Sequence, residues 1–369
     1  MADDVQTVPA PVLVPADALE ATVRAIFGAA GCDAAEAGRI ATHLLDANLA
    51  GHDSHGVVRV PRYVEWLQVG YVVAGRTAEV VVDGGSFALL DGGFGFGQTV
   101  APQAVALGVE RARAHGTCVV GLRNAGHVGR VGAYAEQALD AGLVSVHFVN
   151  VAGSVLVAPF GAAERRFSTA PFAVGVPLDG RRVVLDFATS RVAEGKVLVA
   201  SNGGKPLPGD ALVEADGRLS GDPRTLYGEH EPVGPRDPSR GTGAIRAFGD
   251  HKGSGLALAC ELLAGALTGG GCAGPVEGRG RIANGMLSIY VSPAHLGTEE
   301  ALARVGGGFA EWVKAARPTV PGQPVLLPGE PEAATRAERL ARGVPLQPDT
   351  WASIRATAAS LGVGSVADA

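Results

Sequence analysis

The chain has 369 residues, with 31 Lys+Arg against 37 Asp+Glu and a net charge of −6. With 47% apolar residues it can build large cores, which excludes wholesale disorder, and at about 150 residues per domain its length suits two domains or three. A mildly acidic chain with no basic block and 5% aromatics suits neither nucleic acid nor an anionic membrane surface.

Residues 1–14 read as a loose arm, and Met1-Ala-Asp-Asp-Val lacks the basic start of a signal peptide. Asp17 with Glu20, and Asp33 with Glu36, read as helix N-caps, opening helices that run to about residues 30 and 50. Ser54-His55-Gly56 leads into helical spacing over 57–68, with Pro61 in the first turns, where proline is tolerated. The period then changes. Spans 78–83 and 87–90 are β-rich, and helices at 99–115 and 131–141 alternate with strands at 118–122 and 143–149. Strands at 172–176 and 182–187 are joined by Asp179-Gly180, a hairpin signal. Span 192–200 reads as helix, 202–249 as loops, 251–268 as an apolar helix, 286–291 as a last strand, and 298–316, 331–342 and 349–361 as helices. The hairpins call for a mixed or antiparallel sheet rather than regular βαβ units. No apolar run approaches the ~20 residues of a membrane span. The four cysteines, Cys32, Cys118, Cys260 and Cys272, form no CxxC pair, which argues against a zinc or disulfide framework and for a reducing, cytoplasmic setting.

Asp91-Gly-Gly-Phe-Gly-Phe-Gly97 lies between a strand and a helix, the setting of a dinucleotide fingerprint. The spacing fails, because the third glycine falls on Gln98 or Val100 and no acid closes a second strand about 20 residues on. A tight glycine turn is the better reading. His52, Asp53, Ser54 and His55 cluster before the third helix, and His55, Arg59 and Tyr63 are spaced by four and so share a helix face. An imidazole exchanges protons near neutral pH. An arginine one turn away can hold a carboxylate through two parallel hydrogen bonds. A capping cluster with solvated side chains accounts for the same spacing. His127 sits in the glycine-lined loop Arg123-Asn-Ala-Gly-His127, where sheet proteins bind ligands; an ordinary loop histidine is the alternative. Asp186 ends a strand fit for burial and needs a partner there. Ala188-Thr-Ser-Arg191 offers hydroxyls, amides and a cation to an anion. His251-Lys252-Gly253 opens an apolar helix whose N-terminus suits a phosphate, but it is no Walker loop, since Lys252 precedes Gly253. No HExxH, paired CxxC or EF-hand pattern occurs, so no metal site is expected.

Together these segments resemble one family, the malate/L-lactate/sulfolactate/ureidoglycolate dehydrogenases, which are non-Rossmann NAD(P)-dependent oxidoreductases. The resemblance is carried by residues 53–59 with Tyr63, 91–98, 123–127, Ala158-Pro-Phe-Gly161, 185–190, 251–256 and Pro328-Gly-Glu330, in the family's order over residues 18–355. It implies an α/β (α+β) fold, with a mixed, mainly antiparallel cofactor sheet and a helical domain built from both chain ends. The implied division is 15–77 plus 317–369 as the helical domain, 78–124 as a connecting segment and 125–316 as the NAD(P)-binding domain. It implies a homodimer that moves a hydride between NAD or NADP and a small 2-hydroxy acid or its 2-oxo acid. A cyclic imino acid or keto sugar acid is the alternative substrate. His55 matches the proton donor, with Ser54 and Asp186 as its relay. His127 matches a second histidine that holds the acid/base role in other members. Arg59, with Tyr63 on its face, matches the binder of the substrate carboxylate. Asp186, Phe187, Ala188, Thr189 and Ser190, with His251, Lys252, Gly329 and Glu330, match cofactor-contacting segments. The chain departs from the family at Thr169-Ala170-Pro171, where many members have Thr-Asn-Pro, at His251, and over 228–243, which does not align. A ligand-binding homologue without chemistry is the reading in another class, and the intact Ser54, His55, His127 and Asp186 set argues against it.

Overall fold

The computed structural model describes residues 10–178, 180–201, 205–229, 237–274 and 281–364. It opens with β1 (Val12–Val14), paired antiparallel with Val344–Leu346, so the end of the expected loose arm is tied down. α1 (Ala16–Ala29) begins after Pro15, and Asp17 lies inside the first turn, where its carboxylate meets only the next amide; the expected cap is not formed. α2 (Ala34–Leu49) is capped as expected, with the Asp33 carboxylate accepting the Glu36 N–H at 2.7 Å. Glu36 does not return the bond. It is buried and accepts from the Gly75 N–H at 2.7 Å and the Thr99 hydroxyl at 3.2 Å. Two 3₁₀ turns, Asp53–His55 and Val57–Arg59, precede α3 (Val60–Gln68). The extended Gly56 separates them, pressed against the Asn48 side chain where a Cβ would collide. His55 and Arg59 therefore lie on separate turns, and the shared helix face expected from their spacing is not formed.

The strands and helices of the middle follow close to their expected places: β2 (Glu79–Asp83), β3 (Phe87–Asp91), α4 (Gly97–His115), β4 (Thr117–Ala125), α5 (Gly132–Asp140), β5 (Val144–Ala152), β6 (Val157–Ala158), β7 (Pro171–Leu178), β8 (Arg181–Ala188) and α6 (Glu194–Ser201). Asp179 lies outside the described residues, and Gly180 has φ +63°. The span expected as loops holds β9 (Leu212–Val213), β10 (Leu219–Ser220), α7 (Arg224–Tyr227) and β11 (Ala244–Arg246). Elements of two to four residues carry too few side chains to show a period. α8 (His251–Cys260) runs on into a π-helical stretch, Glu261–Ala266. β12 (Ala283–Val291), α9 (Pro293–Leu296), α10 (Glu299–Ala301), α11 (Gly307–Lys314), α12 (Glu330–Arg342), β13 (Val344–Leu346) and α13 (Pro348–Ser360) complete the chain.

The main sheet has the order β2-β3-β4-β12-β5-β7-β8, in which β3 and β4 alone run parallel among the described strands. It is the mixed, mainly antiparallel sheet expected. The late strand β12 fills the gap between β4 and β5. α4 and α5 bury Val100, Ala104, Val105 and Tyr134 among its apolar residues. A small sheet, β10-β9-β11-β6, has its own core around Leu212, Leu226 and Ile245. Both chain ends share a third core, with Leu19, Phe27, Ile40 and Leu44 against Trp351 and Ile354.

The start of α4 is locked to the segment after β4. Gly126 N–H donates to the Gly95 carbonyl at 2.8 Å, and Gln98 Nε2 donates to the His127 carbonyl at 3.0 Å. A Cβ on Gly97 would overlap that carbonyl. Gly97→Ala should therefore lower stability by about 1–3 kcal/mol, the cost of overpacking. Gly28→Ala on the open face of α1, with nothing within 4 Å, should raise it by about 0.5–1 kcal/mol. Urea unfolding of the two variants measures both effects, and equal midpoints would contradict the packing argument.

Candidate active site

Three pieces of chain meet in one cleft: the two 3₁₀ turns after α2, the loop after β4 and the start of α6. The His55 and His127 rings lie parallel, with centroids 5.6 Å apart and an interplanar angle of 6°. Ser54 Oγ is 3.1 Å from His55 Nδ1, and the Tyr63 hydroxyl is 2.5 Å from His127 Nδ1. Gln98 Nε2 donates to the Tyr63 oxygen at 3.3 Å. Each imidazole thus has Nδ1 engaged and Nε2 left for a ligand among the described residues. Arg59 donates from Nε to the Ser54 carbonyl at 2.6 Å, and its Nη2 lies 3.5 Å from Glu194 Oε2. The Tyr227 hydroxyl donates to the other Glu194 oxygen. The start of α6 is close-packed here, since a Cβ on Gly195 would lie 2.6 Å from Ser54 Cβ.

These contacts set the charge states. Burial, then the Arg59 charge, pushes His55 down to about 3. The same two causes, followed by His55 itself, hold His127 well below the ordinary imidazole value. Both rings are neutral at physiological pH in the free cleft. Burial raises Asp186, whose Oδ2 accepts the Gly132 N–H at 2.8 Å. That amide, and not Ser54 or His55, is its hydrogen-bond partner, so the implied Asp186 relay to His55 is not formed; Ser54 alone reaches the ring.

The residues matched to cofactor contacts fall into two groups. Thr189 and Ser190 are buried, with hydroxyls donating to the carbonyls of Thr169 and Val192. The Phe187 ring packs on Phe172 and Phe248 at 5.8 and 5.2 Å. Ala188 ends β8, opposite Pro171. His251 and Lys252 are joined to this segment through Phe248, which donates from N–H to the Thr189 carbonyl at 3.0 Å, and a Cβ on Gly253 would clash with the same loop. The Lys252 ammonium is exposed and has no carboxylate partner among the described residues. Gly329 and Glu330 stand apart, against the start of β8. Val184 N–H donates to the Pro328 carbonyl at 3.2 Å, and Glu330 pairs with Lys314 at 2.5 Å.

An exposed, unpaired ammonium beside an imidazole fits the phosphates of a nicotinamide dinucleotide. Two neutral imidazoles beside a guanidinium fit the carboxylate and oxygen of a 2-hydroxy acid. Sequence reasoning missed Gln98 as the support of Tyr63, and it missed Glu194 and Tyr227 altogether. Glu194 lies 135 positions from Arg59, and no spacing rule joins them.

A profile of the malate/L-lactate dehydrogenase family matches residues 14–355. The chain is 39% identical over 352 residues to a hydroxycarboxylate dehydrogenase B of Escherichia coli O157:H7, covering 94% of each chain. Its fold is similar to that of a malate dehydrogenase of Pyrococcus horikoshii, with TM-score 0.84 and 26% identity, over 99% of this chain and 98% of that one. It is also similar to a delta1-piperideine-2-carboxylate reductase of Pseudomonas syringae, with TM-score 0.79 and 28% identity, over 94% and 99% of the two chains. With this cleft and these relatives, the chain belongs to the malate/L-lactate dehydrogenase family of NAD(P)-dependent oxidoreductases acting on 2-hydroxy acids.

Proposed function

We propose that the chain interconverts a small 2-hydroxy acid and its 2-oxo acid, with His55 exchanging the proton and Arg59 gripping the carboxylate. One observation carries this reading: Arg59 Nε is fixed on the Ser54 carbonyl, so the guanidinium and the His55 ring are held together on adjoining turns. NAD or NADP, held by the segment 186–190 with His251 and Lys252, would supply the hydride donor or acceptor for the substrate carbon. In the oxidative direction the neutral His55 Nε2 accepts the hydroxyl proton as the C–H bond breaks. Ser54 on Nδ1 fixes the tautomer. In the reductive direction His55 must first be protonated. A carboxylate bound at Arg59 favours that by offsetting the guanidinium charge, which adds to burial in keeping the ring neutral. His127, held by Tyr63, offers a second hydrogen bond to the reacting oxygen.

We assign the cofactor to the face lined by residues 186–190, His251 and Lys252, with Gly329 and Glu330 contributing from the start of β8. A cyclic imino acid is the second substrate class: its C=N bond needs the same proton and the same carboxylate grip, and the similar reductase of Pseudomonas syringae supports it. The separate cores of the chain ends and the main sheet support the division into 15–77 plus 317–369, 78–124 and 125–316. Exposed apolar side chains, among them Phe309 and the stacked Trp312, support a homodimer. Four free thiols support a reducing, cytoplasmic setting. Among the described residues no helix is long and apolar enough to cross a membrane.

His55→Ala should lower kcat by ~10²–10⁴-fold, the worth of a positioned acid or base, and leave the dissociation constant for NADH or NADPH nearly unchanged. Near-full turnover, together with a large loss in His127→Ala, would move the role to His127. The pH dependence tests the same assignment. With His55 pushed down to about 3 in the free cleft, the base is ready at every pH above that value. The kcat/KM for oxidation should then stay level between about pH 8 and 6, and an acid limb centred near 6.5, the value of a free imidazole, would contradict it.

A further inference from the structure

Glu194 is the charged group of the cleft that the chemistry above leaves unused. It opens α6, its side chain is 18% exposed, and it lies 3.5 Å from Arg59 Nη2. It cannot withdraw easily. Tyr227 holds its other oxygen, and the next residue, Gly195, is packed on Ser54. The pair partly offsets the Arg59 charge before substrate arrives. One substrate carboxylate can still be taken by Nη1, which carries no hydrogen bond among the described residues. A second carboxylate on the same small acid would meet a fixed negative charge, whose ion-pair partner among the described residues is Arg59 itself. Ser54, Tyr63, Gln98 and Tyr227 are uncharged, and the guanidinium of Arg130 is already neutralised by Asp46 at 2.8 Å and Glu136 at 2.5 Å. Like-charge juxtaposition is an effective way to reject a wrong partner.

We propose that Glu194 is a specificity-determining positioning residue, which makes the cleft select 2-hydroxy and 2-oxo acids with one carboxylate over dicarboxylates. The inference rests on the assignment of Arg59 as the carboxylate grip. It concerns the size of a preference and not the existence of the activity.

Steady-state kcat/KM is measured for the intact enzyme and for Glu194→Gln on pyruvate and 2-oxobutyrate against oxaloacetate and 2-oxoglutarate, with saturating NADH and NADPH. Glutamine keeps the length, and its carbonyl oxygen can still accept from Arg59, so the charge is removed and the shape retained. The unaltered enzyme should favour the monocarboxylates by about tenfold or more. Glu194→Gln should narrow that preference by about tenfold, through a lower KM for the diacids and not through kcat. Tyr227→Phe removes the hydrogen bond and keeps the charge, so its preference should stay within about twofold of the starting value. A preference unmoved in Glu194→Gln, or an unaltered enzyme that favours diacids, overturns this inference alone. An enzyme that binds NADH or NADPH but turns over none of the four acids overturns the proposed function and this inference with it.

Discussion

Gly97 lies against the carbonyl of His127 with no room for a Cβ between them. Around that contact, three backbone hydrogen bonds clamp the glycine turn to the end of β4: Gly92 to Arg123, Phe94 to Asn124 and Gly126 to Gly95, at 2.7–2.8 Å. Phe94 and Asn124 both take positive φ, at 60° and 52°, a strained choice for side chains other than glycine. The strain sits where the loop must turn sharply to present His127. A larger residue at position 97 would push the loop away and part the two imidazoles.

The opposite wall is held by the helical ends. Asn48 at the end of α2 donates to Asp53 at 2.6 Å and accepts the Val57 N–H at 2.8 Å, spanning the two turns that carry His55 and Arg59. Arg339 of α12 bonds both the Asn48 carbonyl and the Asp53 carboxylate at 2.5 Å. The two histidines therefore belong to different cores, and the cleft is the seam between them. Packing at the seam removes water from the rings and brings Arg59 close. Those two effects, and not any acid, set the neutral state of both imidazoles.

The strands and long helices were legible because their apolar period runs over enough residues. The small sheet was not, since β9 and β10 have two residues each. The glycine turn was legible by failure: its spacing excluded a dinucleotide fingerprint, and the structure uses it to seat His127. The His55, Arg59 and Tyr63 spacing named residues that do converge, but for a reason the helix pattern did not contain. Gly56 breaks the helix, and Arg59 reaches the site by binding the Ser54 carbonyl. Asp186, read as a strand-end acid in need of a partner, is half-buried, and the amide of Gly132 satisfies it. Glu194 was invisible because its meaning depends on a contact between segments far apart in sequence.

The central claim is that folding alone, before any ligand binds, holds a neutral imidazole pair in the cleft beside Arg59. Nitrogen NMR of ¹⁵N-histidine-labelled protein, titrated through the range in which a free imidazole changes charge near 6.5, tests it most directly. The account predicts that the His55 and His127 signals, assigned by single substitution, stay those of neutral imidazoles throughout. Protonation of His55 with a midpoint near 6.5 in the free protein would contradict it.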